Sequence, residues 1–403
     1  MALLAPLSPR VRAQGAAPPD TLAVTGGADG LRFRSSSGRF DVRVGALGQT
    51  DVRVFLEEAV PAADQFLVRR ARVVLSGTAG RLSFRLIPDF GQGRVEVEEA
   101  WAEWRVLDGL GLRAGQQKVP VGLEWLRSSS DLAFVERALP AAVTPRSEPG
   151  LMLRGEALDR RLEAAVGVFD GGPDGQLVTG DAGDSKDAVA RVFGRPYVGT
   201  HAELGVGVAG TIGREDDGAV ALPSYRTAAG FTFARYRDTG DDSTSAFADG
   251  VRWRLAPQAT LLVGPVQAYA EYLVSSQRVV LGAAADDVHV SAWQVAAVAV
   301  LTGERATLGR LRPARPVDEG GSGAIEVGAR YHALDVERDA FPVFFDPTAS
   351  LRAARAVTFG VTWSLTGNVR VMANVERTSF RAAPGGTQPP AEVVAFGRLQ
   401  MAF

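Results

Sequence analysis

The feature that most restricts this chain is a two-residue rhythm that runs along nearly its whole length. From residue 40 to residue 403, short segments alternate apolar and polar side chains, which puts successive residues on opposite faces of an extended strand. Val42, Val44 and Ala46 share one face while Asp41, Arg43 and Gly45 share the other. Leu82, Phe84 and Leu86 oppose Ser83, Arg85 and Ile87 in the same way, and Leu112 and Ala114 oppose Arg113, Gly115 and Gln117. The segment at 96–104 resists orientation because Glu98 and Glu99 fall on opposite faces, and 249–262 alternates irregularly. Counting all such segments predicts about sixteen strands, and no long helical pattern or repeat of roughly 20–50 residues suggests a solenoid or propeller.

Strands of this length cross a bilayer when tilted, and closing them into a barrel removes the edges that an open sheet would expose. No run of about 18 apolar residues exists to make a membrane helix, and a barrel needs none. The connections also alternate. Those at 78–80, 107–109, 157–160 and 366–367 are short, while 57–64, 119–148, 170–186 and 340–351 are long. Short periplasmic turns and longer external loops produce that asymmetry. On the same parity 302–322 is a long connection on the short-turn side, an exception that calls for a reason. The chain closes on an alternating strand that ends in Phe403. The reading is an all-β, transmembrane antiparallel barrel occupying residues 26–403 as one domain, placed in the bacterial outer membrane. Residues 1–25 read as a leader that resembles the tail of a secretory signal without its basic region, a truncated signal, or else as a disordered leader.

Within that barrel, 119–148 stands apart. It is too long for a turn, yet it carries Trp125, Phe134, several leucines and two prolines, and residues 131–138 are compatible with two helical turns. It reads as a loop folded into the bore. Two other long connections, 214–248 and 302–322, also interrupt the strand pattern, the second bearing Arg305, Arg310 and Arg312.

Composition narrows the chemistry. The formal net charge is −2, so nothing points to nucleic acid, and with no Cys thiolate chemistry is excluded. Only His201, His289 and His332 are present and no paired metal spacing occurs; no cofactor, metal or catalytic residue is expected. Asp170–Asp174 and Gly180–Asp184 resemble loose calcium loops, although acidic glycine-rich turns are ordinarily just external loops. Lys occurs only at 118 and 186, whereas Arg is abundant. Arg43, Arg70, Arg72, Arg85, Arg113, Arg154, Arg191 and Arg330 all fall on the more polar strand faces. Two readings of this set stand side by side. The arginines form a ladder that draws anions inward, each fork suited to phosphate or carboxylate; or they pair across strands with neighbours such as Glu96, Glu98, Glu103, Glu271 and Glu326 in an ordinary polar lumen.

Several segments resemble the phosphate-selective porin (porin O and P) family. They are Gly115–Glu124 entering the long loop (GQQKVPVGLE), Phe134–Pro140 within it (FVERALP), Gly264–Tyr272, Leu301–Arg305, AIEVGARY at 324–331 and TFGVTW at 358–363. The resemblance implies a sixteen-stranded outer-membrane barrel in contact with membrane lipid, usually a homotrimer, that passes inorganic anions such as phosphate or polyphosphate. It also implies a constriction made by the three long connections named above, with Arg137 at its narrowest point and Arg127 and Lys118 as further candidates. The phosphate-specific members carry lysines near the positions of Trp125 and Ser130, and this sequence has neither, which favours a broader anion or small-solute pore. A general or sugar-permeable porin, or a plugged structural or adhesive protein, are the alternatives.

Overall fold

The structure, a computed structural model, describes residues 20–27, 29–59, 62–180, 183–215, 221–241 and 243–403. Residues 1–19 of the leader lie outside the described residues. In chain order the strands are β1 (Leu22–Gly27), β2 (Gly30–Ser35), β3 (Phe40–Glu57), β4 (Gln65–Ala79), β5 (Leu82–Asp89), β6 (Glu96–Leu107) and β7 (Leu110–Lys118). Then come β8 (Ser147–Ala157), β9 (Leu162–Phe169), β10 (Asp187–Val198), β11 (Ala202–Glu215), β12 (Ser224–Arg226), β13 (Thr232–Arg235) and β14 (Phe247–Val263). The last six are β15 (Val266–Leu281), β16 (Ala284–Val300), β17 (Ala324–Val336), β18 (Leu351–Ser364), β19 (Val369–Ala382) and β20 (Glu392–Ala402). One short helix, α1 (Leu123–Leu126), lies in the long loop.

Sixteen of these, β3–β11 and β14–β20, pair antiparallel with their sequence neighbours, and β20 returns to pair with β3, from Val393↔Glu57 to Ala402↔Leu47. The barrel is therefore closed at the expected count. Beyond the point where β20 ends, residues 41–44 of β3 pair instead with β2, which in turn carries β1. Residues 22–25, grouped with the leader on sequence grounds, thus belong to a strand.

The alternation sorts as a membrane barrel requires. Along β18, Thr358, Thr362 and Ser364 face the lumen, while Val357, Phe359, Val361 and Trp363 face outward and are exposed. Along β19, Arg370, Asn374 and Glu376 point in and Val371 and Val375 point out. Apolar side chains meet lipid and polar ones meet one another inside.

Three details depart from the sequence reading. The strands that alternation alone places at 266–275 and 288–301 run further and form one hairpin: β15 and β16 pair down to Leu281↔Ala284, and Gly282, at φ +59°, makes the two-residue turn. Glu98 and Glu99 both face the lumen, because the β5–β6 register shifts between Ile87 and Pro88 and the extra residue turns Glu98 inward. The irregular 249–262 likewise contains a shift, between Ala248 and Arg252 against β15.

Burial is concentrated where long loops fold back into the bore. Tyr225 and Phe233 of the β12–β13 hairpin, with Tyr236, Phe341, Phe344 and Phe345, pack on Leu273, Val288 and Leu334 of the wall. Each such buried side chain contributes roughly 1.5–3 kcal/mol. The connection at 302–322 also turns inward, where Leu308 packs against Leu123, Phe134 and Tyr269.

Candidate functional site

The long loop between β7 and β8 sits inside the barrel, fastened to one side of it. Its central anchor is Phe134, 1% exposed. Gly328 on β17 and Gly360 on β18 are directly paired and both face the lumen. A Cβ at either position would come to 3.2 Å from the Phe134 ring, so the two glycines form the slot that admits it. The Arg330 guanidinium covers the ring at 4.6 Å from its centroid.

Polar anchors surround this slot. Glu136 meets three arginines: Arg69 Nε at 2.6 Å, Arg398 at 3.2 Å and Arg53 at 3.4 Å. Burial by itself raises the Glu136 carboxyl, but Arg69 and Arg398 overcome that and hold it well below the usual carboxylate range. Arg398 also forks onto Asp51 with two 2.7 Å bonds and donates to the Val135 carbonyl. Val135 N–H donates to Asn374 Oδ1. Glu271 accepts from Leu123 N–H (2.6 Å) and Glu124 N–H (3.3 Å), and Glu124 in turn accepts from Ala138 N–H (2.8 Å) and pairs with Arg330. Leu139 N–H donates to His332 Nδ1 at 3.2 Å. These bonds explain why 131–138 is not helical: side chains of the wall and of the loop, rather than carbonyls one turn back, satisfy backbone N–H groups such as those of Val135 and Ala138. Helical geometry is confined to α1 and a single 3-10 turn at Leu139–Ala142.

Apart from Glu124 of the loop itself, these anchors lie on β3, β4 or β15–β20. Space remains beside the loop in three cavities whose linings share residues from one to the next. The largest, about 710 Å³, lies over the long loop and is lined by eight arginines, among them Arg53, Arg69, Arg70, Arg72, Arg137 and Arg146, against five carboxylates. The second, about 580 Å³, is lined by Arg72, Arg85, Arg113, Lys118, Arg154 and Arg191 against three carboxylates. Arg72 and Glu98 line both, so they stand where the two meet. A third, about 390 Å³, continues from Arg154 to Arg81 and Arg105 at the short-turn rim.

Most ladder arginines have a carboxylate close by. Arg72 bonds Asp89 (2.7 Å) and Glu98; Arg113 holds Glu103 (2.8 Å) and lies 3.6 Å over the Trp101 ring. Arg85 is 3.7 Å from Glu99, Arg154 is 3.5 Å from Glu103, and Arg191 is 3.6 Å from Glu163. Arg70 donates to Gln49 Oε1 at 2.7 Å. Two residues are placed elsewhere. Arg330, 2% exposed, is sealed under Phe134 between Glu124 and Glu376 and holds the loop instead of lining the path. Arg43 is exposed on the β2-paired end of β3 and lines none of the three cavities.

The loop candidates also separate. Arg137 makes no ion pair among the described residues, neither with Glu136 nor with Asp131; it lies 4.5 Å over Trp125 and faces the largest cavity. Burial pushes it down to about 10, so it stays charged at neutral pH. Arg146, which sequence reasoning passed over, stacks on the same indole at 5.1 Å and bonds Glu98 at 3.1 Å. Lys118 spends its ammonium on three carbonyls, Trp125 (2.9 Å), Leu126 (3.3 Å) and Arg127 (2.9 Å). Arg127 donates to Asp131 O at 2.8 Å and lies 5.2 Å over Tyr269. On the inward turn, Arg305 reaches Thr200 O, Arg310 reaches Ala402 O and Arg312 pairs with Asp29. Asp174, read as part of a loose calcium loop, is buried against Arg254 and rims the largest cavity.

A closed sixteen-strand barrel, apolar outside, polar inside and narrowed by the long loop between β7 and β8, is a porin-type channel and not an enzyme. Residues 42–388 match the model of phosphate-selective porin O and P, and the chain belongs to that family of the bacterial outer membrane. No curated protein matches it. Solved structures share the barrel at low identity. The outer membrane channel DcaP of Acinetobacter baumannii aligns at 10% identity and TM-score 0.57, covering 92% of this chain and 99% of that one. The anion-selective porin of Comamonas acidovorans aligns at 12% and 0.53, covering 90% and 100%. OmpT of Vibrio cholerae in its trimer form aligns at 11% and 0.53, covering 90% and 99%.

Proposed function

We propose that the protein is a passive, anion-preferring porin whose solutes follow the three cavities along the β4–β10 wall. The observation that carries this is the excess of guanidinium over carboxylate groups in both larger cavities. Paired arginines are partly neutralised, but the surplus leaves each cavity positive, and a positive cleft with low-dielectric walls concentrates anions. Arg137 and Arg146 on Trp125, with Arg72 between the two volumes, form the narrow stretch. Each fork has donors for an oxyanion, and the partner carboxylates keep the hold loose enough for release.

The selectivity is broad rather than restricted to phosphate. The one lumenal lysine, Lys118, has all its donors engaged by carbonyls, and this sequence has no lysine at or beside Trp125 and Ser130, near which the family resemblance implies lysines in phosphate-specific members. A homotrimer is the proposed assembly, as the family resemblance implies. The test is the reversal potential of the refolded protein in a planar bilayer under a KCl gradient, repeated with phosphate. Anion preference with weak or no phosphate block is the expected result. Strong block would restore a phosphate-specific site; a cation-leaning current would overturn the anion reading; absence of current would leave a plugged barrel.

A further inference from the structure

The outward face of the barrel carries one charged cluster that the channel does not use. Arg355 on β18 lies directly opposite Ser379 on β19, so its two diagonal neighbours on the same face are Arg377 and Arg381. Diagonal neighbours of this kind sit roughly 7–8 Å apart. All three are exposed, and Ser379 between them donates its hydroxyl to the Arg355 carbonyl at 3.2 Å.

Such an arrangement repels itself, since like charges at cross-strand positions are unfavourable. Most lumenal arginines escape that cost by pairing with carboxylates. Here the neighbouring strands supply almost none. On β17 only Asp335 approaches, 3.9 Å from Arg355, and Arg377 and Arg381 have no ion-pair partner among the described residues. On β20 the outward neighbours are Val393 and Ala395. The bulge residue Arg352 adds a fourth guanidinium close by in the chain, also without an ion-pair partner.

The level of the cluster identifies what surrounds it. Immediately below lie Val357, Phe359 and Val361 on β18 and Val371 and Val375 on β19, all exposed and apolar, as lipid contact demands. From the short turn at 365–368, Arg377 is about 20 Å and Arg381 about 30 Å up the membrane normal, allowing ~3.3 Å per residue and the usual strand tilt, so the cluster brackets the top of an apolar band about 25 Å tall. That is the boundary between acyl chains and headgroups, on the side of the long loops. The counter-charges available there are phosphates.

We propose that Arg355, Arg377 and Arg381 form a binding site for the phosphate groups of the phosphorylated glycolipid of the outer leaflet, seated on the outer face of β18–β19. Three forks converging around Ser379 match a tetrahedral oxyanion, and the acyl chains continue down the apolar strip beneath. The test purifies the full barrel and the triple variant Arg355→Gln/Arg377→Gln/Arg381→Gln, returns both to nanodiscs, and measures retention of bisphosphorylated lipid A, dephosphorylated lipid A and inorganic phosphate. Near the surface each arginine contributes about 1 kcal/mol, so the variant should retain bisphosphorylated lipid A about a hundredfold more weakly. The native protein should hold dephosphorylated lipid no better than the variant does. Unchanged conductance and heat-modifiability confirm that the variant is folded, and the triple Lys variant should recover part of the binding. Equal retention by native and variant, or equal competition by inorganic phosphate, overturns the site. So does loss of the native oligomer without loss of lipid, which would make the cluster a subunit contact.

Discussion

Replacing Phe134 with Ala isolates what the glycine slot contributes to the pore. The ring is fully buried between Gly328, Gly360 and Arg330, on a loop outside the hydrogen-bonded wall. Truncating such a ring costs about 3–5 kcal/mol, part of it the lost contact with the guanidinium above it. Because the wall is untouched, the loss falls on the docking of the loop and leaves the barrel folded. A change of about 4 kcal/mol raises the undocked population roughly a thousandfold. The remaining anchors, Glu136 and Glu271 above all, keep the docked form dominant, so the mean conductance stays near native. What changes is the frequency of brief steps to higher current, read in single-channel records. Gly360→Ala should act in the same direction, since its Cβ would come within 2.1 Å of the Asn374 amide that holds Val135 N–H. An event frequency within tenfold of native in Phe134→Ala would refute the argument and assign the loop's position to the ionic anchors alone.

Other substitutions probe the path. Arg72→Gln, which lines both larger cavities, and Arg146→Gln, which lines the largest, should each lower the anion-to-cation permeability ratio severalfold, whereas Arg43→Gln should leave the reversal potential unchanged. Glu136→Gln should raise anion preference, by removing one carboxylate from the largest cavity, and increase current noise, by freeing a loop anchor whose loss costs about 3–5 kcal/mol. Because Glu136 is held below its ordinary range in the fold, its contribution is complete above the unfolded carboxylate value and fades only as pH falls through the lower folded one. The difference in noise between Glu136→Gln and native protein should therefore persist unchanged through neutral and mildly acid pH and shrink only in strong acid. Lys118→Met should alter phosphate block little, because the ammonium already serves three carbonyls, but should weaken loop docking as judged by protease protection.

Strand number, closure and the inward loop were legible because alternation of side chains is a local property of a strand. The same property hid other things. Period two tells in from out, so Arg330 and Arg85 looked alike, although one is sealed beneath a phenyl ring and the other borders a cavity. What covers an inward residue depends on a loop 200 residues away. The bulge that turns both Glu98 and Glu99 inward exists only in the pairing with β5, and the segment of 96–104 alone does not carry it. Gly282 marks the β15–β16 turn, but one glycine among 46 does not by itself announce a hairpin. Arg146 lay at the end of the loop motif without a distinctive neighbour; its link to Trp125 is purely spatial.

The ion cluster at Glu136 has a bearing on how the barrel is assembled. Arg53 and Arg69 come from the first two wall strands and Arg398 from the last, and the carboxylate joining them arrives from the middle of the chain. The seam where β20 meets β3 is thus stitched from the inside as well as zipped along its edges. Until the final strand arrives, two guanidinium groups and one carboxylate wait with their third partner missing. Completion of the ring then supplies the loop's third ionic anchor, so a chain stalled before its last dozen residues would hold neither a sealed wall nor a fully fastened loop.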